Sequence, residues 1–464
     1  MILVPKNRWN SERAARVCAL AIACALTPAG VARAQAAIPG QAATPTSAAN
    51  VQREAEAYAA SVPQGPDPRT PPLSRPGALT LVQVLHEARV KNPTILAAEA
   101  SLRGVRAQEV QAAVRANPYL TVYGTDLSEN AAASTPYGYS VQMSRLFELG
   151  NKRHWRIADA KATTAQTEAQ LNDEIRQAEL SVKQAFTHML IAKEALELAS
   201  ASLKDFQHEV EIGRDRYKAG DLAKLDYERL DLQLASFESD ESNDIVSLQQ
   251  ASYQLQTLMG IEKPSDDFDI TGEVVPPSIP QTRAELEQAA LASRPDYAAA
   301  RFGVNAADAA YRLAKANGTT DPTLEGEFDR SGTESSFGAS INIPLRLFDR
   351  NQGNKETAQW QASSARFAEQ AARAQVVSDV DQAWVGYVQA KRLSERFSDR
   401  YLDESHDVLN IAQFAFEHGG LALIDYLDAL RDARSSTLDA LNAYQNTWLA
   451  IHQLSAASAT ELVP

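Results

Sequence analysis

Two similar fourteen-residue stretches constrain the fold more than any other feature of this sequence: residues 217–230 read YKAGDLAKLDYERL, and residues 416–429 read FEHGGLALIDYLDA. Glycine commonly ends a helix because it adopts positive φ without strain. Each copy therefore predicts the turn of a helical hairpin, and we expect two hairpins with similar tips. The matched pairs are Tyr217 with Phe416, Gly220 with Gly419, Leu222 with Leu421, Leu225 with Ile424, Asp226 with Asp425 and Tyr227 with Tyr426.

The N-terminus has the pattern of a secretory signal peptide. Basic residues precede an apolar run at 17–26, and a small-x-small cleavage site follows at residues 32–34. The run is too short for a permanent membrane helix, so residues 1–34 are predicted to be removed on export. Lipidation at Cys24, which ends a weak lipoprotein cleavage box, is the alternative. Both cysteines lie in this segment, so the exported chain is expected to lack disulfides and thiolate metal sites.

Composition and charge indicate an extended N-terminal arm and limit the kinds of partner that the exported chain can bind. Residues 35–78 are rich in Pro, Ala, Ser and Thr and have too little apolar content for a core, so they are predicted to form an extended arm. The whole chain carries a formal net charge of −14. An acidic exported protein is a poor nucleic-acid binder. Around a water path the same charge would favour cations, although a solvated acidic surface is equally compatible.

The remaining chain divides into two similar repeats, residues 79–260 and 281–464, joined by a linker at 261–280. In each repeat a short helix is predicted to stop at a proline, Pro93 or Pro295, before a second helix. Further along, proline-free runs predict two very long helices, at 150–217 and 353–416, each returning after its tip through 222–259 or 421–456. Helices of this length must pack along their sides, as in coiled coils.

A period of two indicates a pair of strands in each repeat. In one strand, Glu325, Glu327 and Asp329 share a face that must meet water. In the others, apolar residues such as Val141, Ile341 and Ile343 alternate with polar ones. The predicted strands are 119–127, 137–145, 323–330 and 335–345.

Together, the predicted helices and strands of the two repeats indicate a mainly α fold with a small β part and an internal twofold repeat. Four strands cannot close a barrel. A sheet with an apolar face and unpaired edges must associate with other strands. A homotrimer would supply twelve strands, an even number within the range of closed outer-membrane β-barrels. Val141, Ile341 and Ile343 would then face outer-membrane lipid, and the acidic side chains listed above would face the lumen. The long helical hairpins would continue the wall as a hollow α-barrel.

Several short sequence motifs resemble those of a known protein family. The twofold repeat, the phrase LFELGNKR at 146–153 and tips of the form G-x-L-x-x-x-D resemble the TolC family of outer-membrane efflux proteins, and most of all its cobalt-zinc-cadmium type. The likeness spans about residues 79–456. It implies a trimeric channel that passively conducts divalent heavy-metal cations from an inner-membrane resistance-nodulation-division (RND) pump and a periplasmic adaptor. The adaptor contacts would fall on Gly220, Leu222, Asp226, Gly419, Leu421 and Asp425.

Other interpretations of the tips and of the protein stay open. Gly and Asp at the tips could do no more than cap helices, and Gly420 stands where the first tip has Asp221. The same channel could serve drug or dye efflux. A periplasmic coiled-coil adaptor or scaffold would explain the helices and the export signal, but not four amphipathic strands.

The sequence holds no constellation of catalytic groups, so the protein is predicted not to be an enzyme and to need no cofactor. Its seven histidines are scattered, and none has the i, i+4 spacing of a helical metal site. His418, at the second tip, is the one placed where a metal or an adaptor could matter, and we expect it to be solvated or packed.

Overall fold

A computed structural model describes residues 67–125 and 138–463. The signal segment, Cys24, most of the arm, the first strand loop and the predicted strand residues Asp126, Leu127 and Tyr137 lie outside the described residues. The elements in order are α1 (Leu81–Lys91), α2 (Pro93–Ala113), β1 (Tyr119–Thr125), β2 (Gly138–Leu146), α3 (Lys152–Ala219), α4 (Lys224–Leu258), α5 (Arg283–Ser293), α6 (Pro295–Ala316), β3 (Thr323–Ser331), β4 (Glu334–Asn342), α7 (Gln352–Arg396), a π-helical turn (Phe397–Tyr401), α8 (Leu402–Glu417) and α9 (Leu423–Ser458).

The same local signals open both repeats. Thr80 and Thr282 form capping boxes at the starts of α1 and α5, in which the threonine hydroxyl and a side chain three residues later satisfy free backbone N–H groups. Pro93 and Pro295 are the first residues of α2 and α6. Proline fits there because its missing N–H would be unpaired in any case. The prolines thus begin a new helix at the point where the previous one stops.

The four strands form one antiparallel sheet in the order β1-β2-β3-β4. β2 pairs with β3 across the two repeats, with Val141 opposite Phe328. One predicted boundary was wrong: β4 ends at Asn342, so Ile343 and Leu345 lie beyond the strand. Pro344, between them, has no N–H to donate to a ladder.

The register gives the sheet two chemically different faces. Residues directly opposite each other in an antiparallel ladder point to the same side. One side carries the apolar residues, and the other carries the carboxylates of β3 with serine, threonine and glutamine neighbours. The apolar side is formed by Leu120, Val122, Tyr139, Val141, Met143, Leu324, Phe328, Phe337, Ala339 and Ile341.

The first hairpin contains an unbroken helix of 68 residues, which at about 1.5 Å per residue spans about 100 Å. The second does not match the expected continuous run at 353–416. Its outward helix is interrupted by the π-helical turn Phe397–Tyr401, between α7 and α8. Within residues 67–125 and 138–463, no helix combines the length and the apolar character needed to cross a bilayer.

The end of the arm packs against the π-helical turn. A π turn releases a backbone carbonyl from regular helical bonding, and the Arg69 guanidinium donates to the Ser398 carbonyl at 3.3 Å. The same guanidinium lies 2.9 Å from the Asp403 carboxylate in the next helical turn and 2.8 Å from Asp67. Arg69 therefore ties the arm to the one irregular point in the second hairpin.

A carboxylic acid is buried close to this junction. Glu194 on α3 is 2% exposed, and its Oε2 atom has no hydrogen-bond partner. Burial, with the nearby charges of Glu197 and Asp67, raises the pKa of Glu194 to about 8. At neutral pH the protonated form is therefore favoured, because an unpaired buried carboxylate is costly.

The Glu194→Gln variant tests this burial. With a folded-state pKa near 8 and an ordinary value of 4.5, the folded protein binds the extra proton between those limits. Stability should therefore fall as pH rises through that window, by up to about 1.4 kcal/mol per pH unit. We expect urea unfolding, followed by helical circular dichroism, to give a smaller difference between pH 5 and pH 8 for E194Q than for wild type. E211Q, an exposed position on the same helix, is the control; an unchanged pH dependence in E194Q would contradict the assignment.

Candidate functional site: the hairpin tips and the two-faced sheet

Both hairpin tips turn through a glycine in the left-handed region. Gly220 has φ of 87° and Gly419 has φ of 72°. Behind each glycine a backbone N–H closes the end of the helix: Asp221 donates to the Arg216 carbonyl at 2.8 Å, and Gly420 donates to the Ala415 carbonyl at 2.7 Å. The two tips therefore share one backbone conformation, although their side chains differ at this position.

An aromatic pair closes each tip across the turn. The rings of Tyr217 and Tyr227 are stacked at 5.4 Å with an interplanar angle of 5°. Phe416 and Tyr426 are stacked at 5.2 Å with an angle of 4°. Sequence comparison had paired these positions between the tips but gave no sign that they touch within each tip. The spacing of ten residues in both copies is the signal that could have revealed it.

The two tips also contact each other. The Arg216 guanidinium of the first hairpin lies over the Phe416 ring of the second, 5.6 Å from its centroid, within the usual range of a cation–π contact. Leu222 and Leu421 are half-buried members of a shared apolar cluster that also includes Leu230, Phe237 and Leu427. The hairpin ends therefore form one packed unit within the chain.

The predicted docking residues occupy different environments. Leu222 and Leu421 pack inward, whereas Gly220, Gly419 and Asp425 are exposed. Asp226 is partly exposed and lies 3.5 Å from Arg229. Both aspartates lie in the first turn of their helices, where a negative charge interacts favourably with the helix dipole. The aspartates can thus stabilise the helix start and still present charge to solvent.

His418 is engaged locally. Its Nδ1 atom lies 2.8 Å from the Phe414 carbonyl, and the two rings are 4.1 Å apart. Among the residues that the structure describes, no group of three or more His, Cys, Asp or Glu side chains is arranged to hold a metal ion.

A cleft of about 540 Å³ opens behind the tips, between α3, α4, α8 and α9. Acidic residues line part of it. Burial raises the pKa of Glu209, with a further contribution from Glu417, and burial also raises the pKa of Asp244. Arg434 lies on the same wall and contacts Asp240 at 2.6 Å, so the cleft contains charges of both signs.

On the sheet, the carboxylates of β3 accept hydrogen bonds from neutral neighbours. Glu327 Oε1 accepts from the Ser140 hydroxyl at 2.6 Å and from the Tyr123 hydroxyl at 3.4 Å. Glu325 Oε2 accepts from Gln142 at 3.2 Å and from Ser340 at 3.0 Å. Asp329 lies on the same face, opposite Ser140. Neutral donors orient these groups and leave their negative charge in place.

A two-faced sheet continued by helical hairpins with matched tips is the build of an elongated outer-membrane export channel. The chain belongs to the outer membrane efflux protein family, whose profile matches residues 84–261 and 286–458. The predicted fold class and the outer-membrane location are confirmed. The prediction that the protein is not an enzyme is also confirmed, since this is a family of efflux channels.

Individual relatives refine the family assignment. The cobalt-zinc-cadmium resistance protein CzcC of Cupriavidus metallidurans is 27% identical over 381 residues, covering 82% of this chain and 90% of the relative. The probable outer membrane lipoprotein SilC of Salmonella typhimurium is 26% identical, covering 54% of this chain and 56% of the relative. A solved structure of CusC superposes with a TM-score of 0.67 at 19% identity, covering 86% of this chain and 98% of CusC. The resemblance to heavy-metal TolC-type proteins is thereby confirmed.

Substitution at the tip glycines tests the shared turn. Alanine in the left-handed region costs about 1 kcal/mol, so G220A and G419A should each speed hydrogen exchange of the neighbouring tip amides about fivefold. The control is G386A, in a helix interior with open space around the added carbon, where alanine should leave tip exchange unchanged. Equal exchange in wild type and G220A would show that the first turn does not depend on positive φ.

Proposed function

We propose that this protein forms, as a homotrimer, the outer-membrane channel of a tripartite RND-type efflux system and passively conducts divalent heavy-metal cations of the cobalt, zinc and cadmium class. The observation that carries the proposal is the sheet, which has an apolar face, a carboxylate face and two unpaired edges in one chain. Such a sheet suits the wall of a water-filled membrane barrel.

Trimer formation is supported by the strand order. β1 and β4 are the outer strands of the sheet, and within the described chain each pairs with one neighbour. In a bilayer every backbone N–H and C=O must be satisfied. Pairing β4 of one copy with β1 of the next satisfies both edges, and three copies give the twelve strands of a closed barrel.

The lumen is assigned to the carboxylate face. Glu325, Glu327 and Asp329 carry charge that is costly against hydrocarbon and favourable in a cation pathway. Three copies would repeat this ladder around the barrel, giving an acidic lining. Apolar Val141 and Ile341, on the opposite face, would contact lipid. Ile343 would lie at the edge of that surface, just past β4.

The tips are assigned to docking of a periplasmic adaptor that is joined to the pump. Gly220, Gly419 and Asp425 are exposed, and the packing of Leu222 and Leu421 holds the turns in a fixed shape. Asp226 and Asp425 then offer a negative charge at each tip. Rigid tips suit a docking surface because little conformational freedom is lost on binding.

The assignment of heavy-metal cargo rests on similarity to a protein named for cobalt, zinc and cadmium resistance. Drug or dye efflux by the same architecture is the second candidate, since channels of one build can serve different pumps. In either case the pump would supply energy and most of the selectivity.

Growth of the source bacterium with and without the gene tests the cargo. We expect the deletion strain to become sensitive to cobalt, zinc or cadmium, and the wild-type gene to restore growth. The panel also includes nickel, copper, dyes and antibiotics. Sensitivity to dyes and antibiotics with unchanged metal tolerance would overturn the metal assignment and leave an efflux channel of different cargo.

Charge reversal tests the docking role of the tips. The double variant D226K/D425K should reduce resistance to that of the deletion strain while trimers still assemble, because reversed charges oppose the adaptor but cost each helix start only about 0.3–1 kcal/mol. E238K/D439K reverses exposed charges on the same two helices away from the tips and should retain resistance. Normal export in D226K/D425K would rule out an electrostatic docking role and leave helix stabilisation as the function of these aspartates.

A further inference from the structure

The apolar face of the sheet ends in a group of exposed residues beside the helices. Leu324 is 47% exposed, Ile341 is 64% exposed and Phe147, just after β2, is 41% exposed. The Phe147 N–H donates to the Pro322 carbonyl at 2.9 Å, so the ladder continues to this residue and Phe147 stays on the apolar side. This end of the sheet leads directly into the long helix α3.

Arg145 lies at this end of the apolar surface, whereas Arg330, on the same face, is opposite Tyr139 towards the other end of the sheet. Arg145 is exposed, and it is opposite Leu324, which is in turn opposite Ile341. Its guanidinium lies over the Phe147 ring, 5.3 Å from the centroid. The ring contact fixes one face of the guanidinium and leaves its N–H donors directed outward.

No carboxylate in the described chain pairs with Arg145. The acidic residues nearest in sequence to this junction have other partners: Glu148 contacts Arg156 at 2.6 Å, and Asp321 binds Lys152 at 2.5 Å. The β3 carboxylates lie on the opposite face of the sheet. Arg145 is therefore a positive charge beside apolar side chains, and its guanidinium has no hydrogen-bond partner among the residues that the structure describes.

The surroundings define the anion that this charge can take. A small soluble anion would bind the Arg145 guanidinium but would leave Leu324 and Ile341 in contact with water. A phospholipid meets both requirements. Its phosphate oxygens accept hydrogen bonds from the paired N–H groups of the guanidinium, and its acyl chains cover the apolar residues. A long arginine side chain at the edge of a membrane band reaches readily to the headgroup level.

We propose that Arg145, supported by Phe147, binds the phosphate of an anionic glycerophospholipid in the leaflet at the helical, periplasmic end of the sheet. The proposal rests on the function proposed above, because it requires the sheet to lie in the membrane. A net negative lipid is preferred because a zwitterionic headgroup brings its own cation, which repels the guanidinium. The site anchors the barrel where the sheet passes into the helices.

Native mass spectrometry of the purified full-length trimer tests the site. The protein is reconstituted with equal amounts of phosphatidylglycerol and phosphatidylcholine of identical acyl chains, and the lipids retained are counted. Wild type should retain more phosphatidylglycerol. R145Q should lower the ratio of retained phosphatidylglycerol to phosphatidylcholine about fivefold, since one basic residue near an anionic lipid surface contributes about 1 kcal/mol. R145K should keep part of the preference, and R373Q, at an exposed position on α7, should keep all of it.

Equal retention of both lipids by wild type, or a wild-type ratio in R145Q, would overturn the lipid site. If R145Q does not assemble, the wild-type ratio and R145K decide the matter. Failure of the channel proposal has a different signature, in which salt without detergent releases the wild-type protein from membranes. A detergent-requiring trimer without lipid preference would contradict the lipid site alone.

Discussion

Lateral packing of the 68-residue helix α3 is the constraint on which the rest of the structure depends. Most of the stability of a helix in a protein comes from packing of one face, so a helix of this length needs burial of one side along its whole length. The chain supplies this in stages. Near the tip Phe206 packs with Phe237 of α4, and further along Phe186 and Met189 join a core with Leu441 and Tyr444 of α9. Each repeat therefore stabilises the other, and neither hairpin is an independent unit.

The second hairpin differs from the first through its π-helical turn. An extra residue in one turn rotates every later side chain about the helix axis, so a face that packs before Phe397 need not be the face that packs after Tyr401. Within the turn, the Ser398 carbonyl accepts a hydrogen bond from Arg69. The π-helical turn of the second repeat is thus contacted by Arg69, which lies in the arm outside both repeats. This contact is close to the buried Glu194.

Local signals made much of the fold predictable. Alternation located the strands because one face is apolar and the other carries carboxylates, and the two prolines marked helix starts because their stereochemistry permits few other positions. Features that depend on distant contacts were missed. The π turn contains no proline or glycine that would mark it in the sequence, and its contact with Arg69 comes from more than three hundred residues away. The end of β4 at Asn342 had a local signal in Pro344, but the alternation that continues through Ile343 and Leu345 masked it. The tip positions were identifiable from the repeat, but the inward packing of Leu222 and Leu421 follows from the meeting of both hairpins.

The tips show how far an internal repeat can diverge while its turn stays the same. Asp221 and Gly420 make equivalent backbone hydrogen bonds, so the turn itself does not require the carboxylate. Residues 217–230 of the first tip carry three acidic and three basic side chains, whereas residues 416–429 of the second carry three acidic side chains and no Lys or Arg. The second tip is therefore the more negative, and Arg216 from the first reaches over Phe416 of the second. In the proposed trimer, six tips of one shape would alternate between two charge patterns. A partner with sixfold symmetry would meet two kinds of contact, and three of its subunits would bind more strongly than the other three if electrostatics contributed to docking.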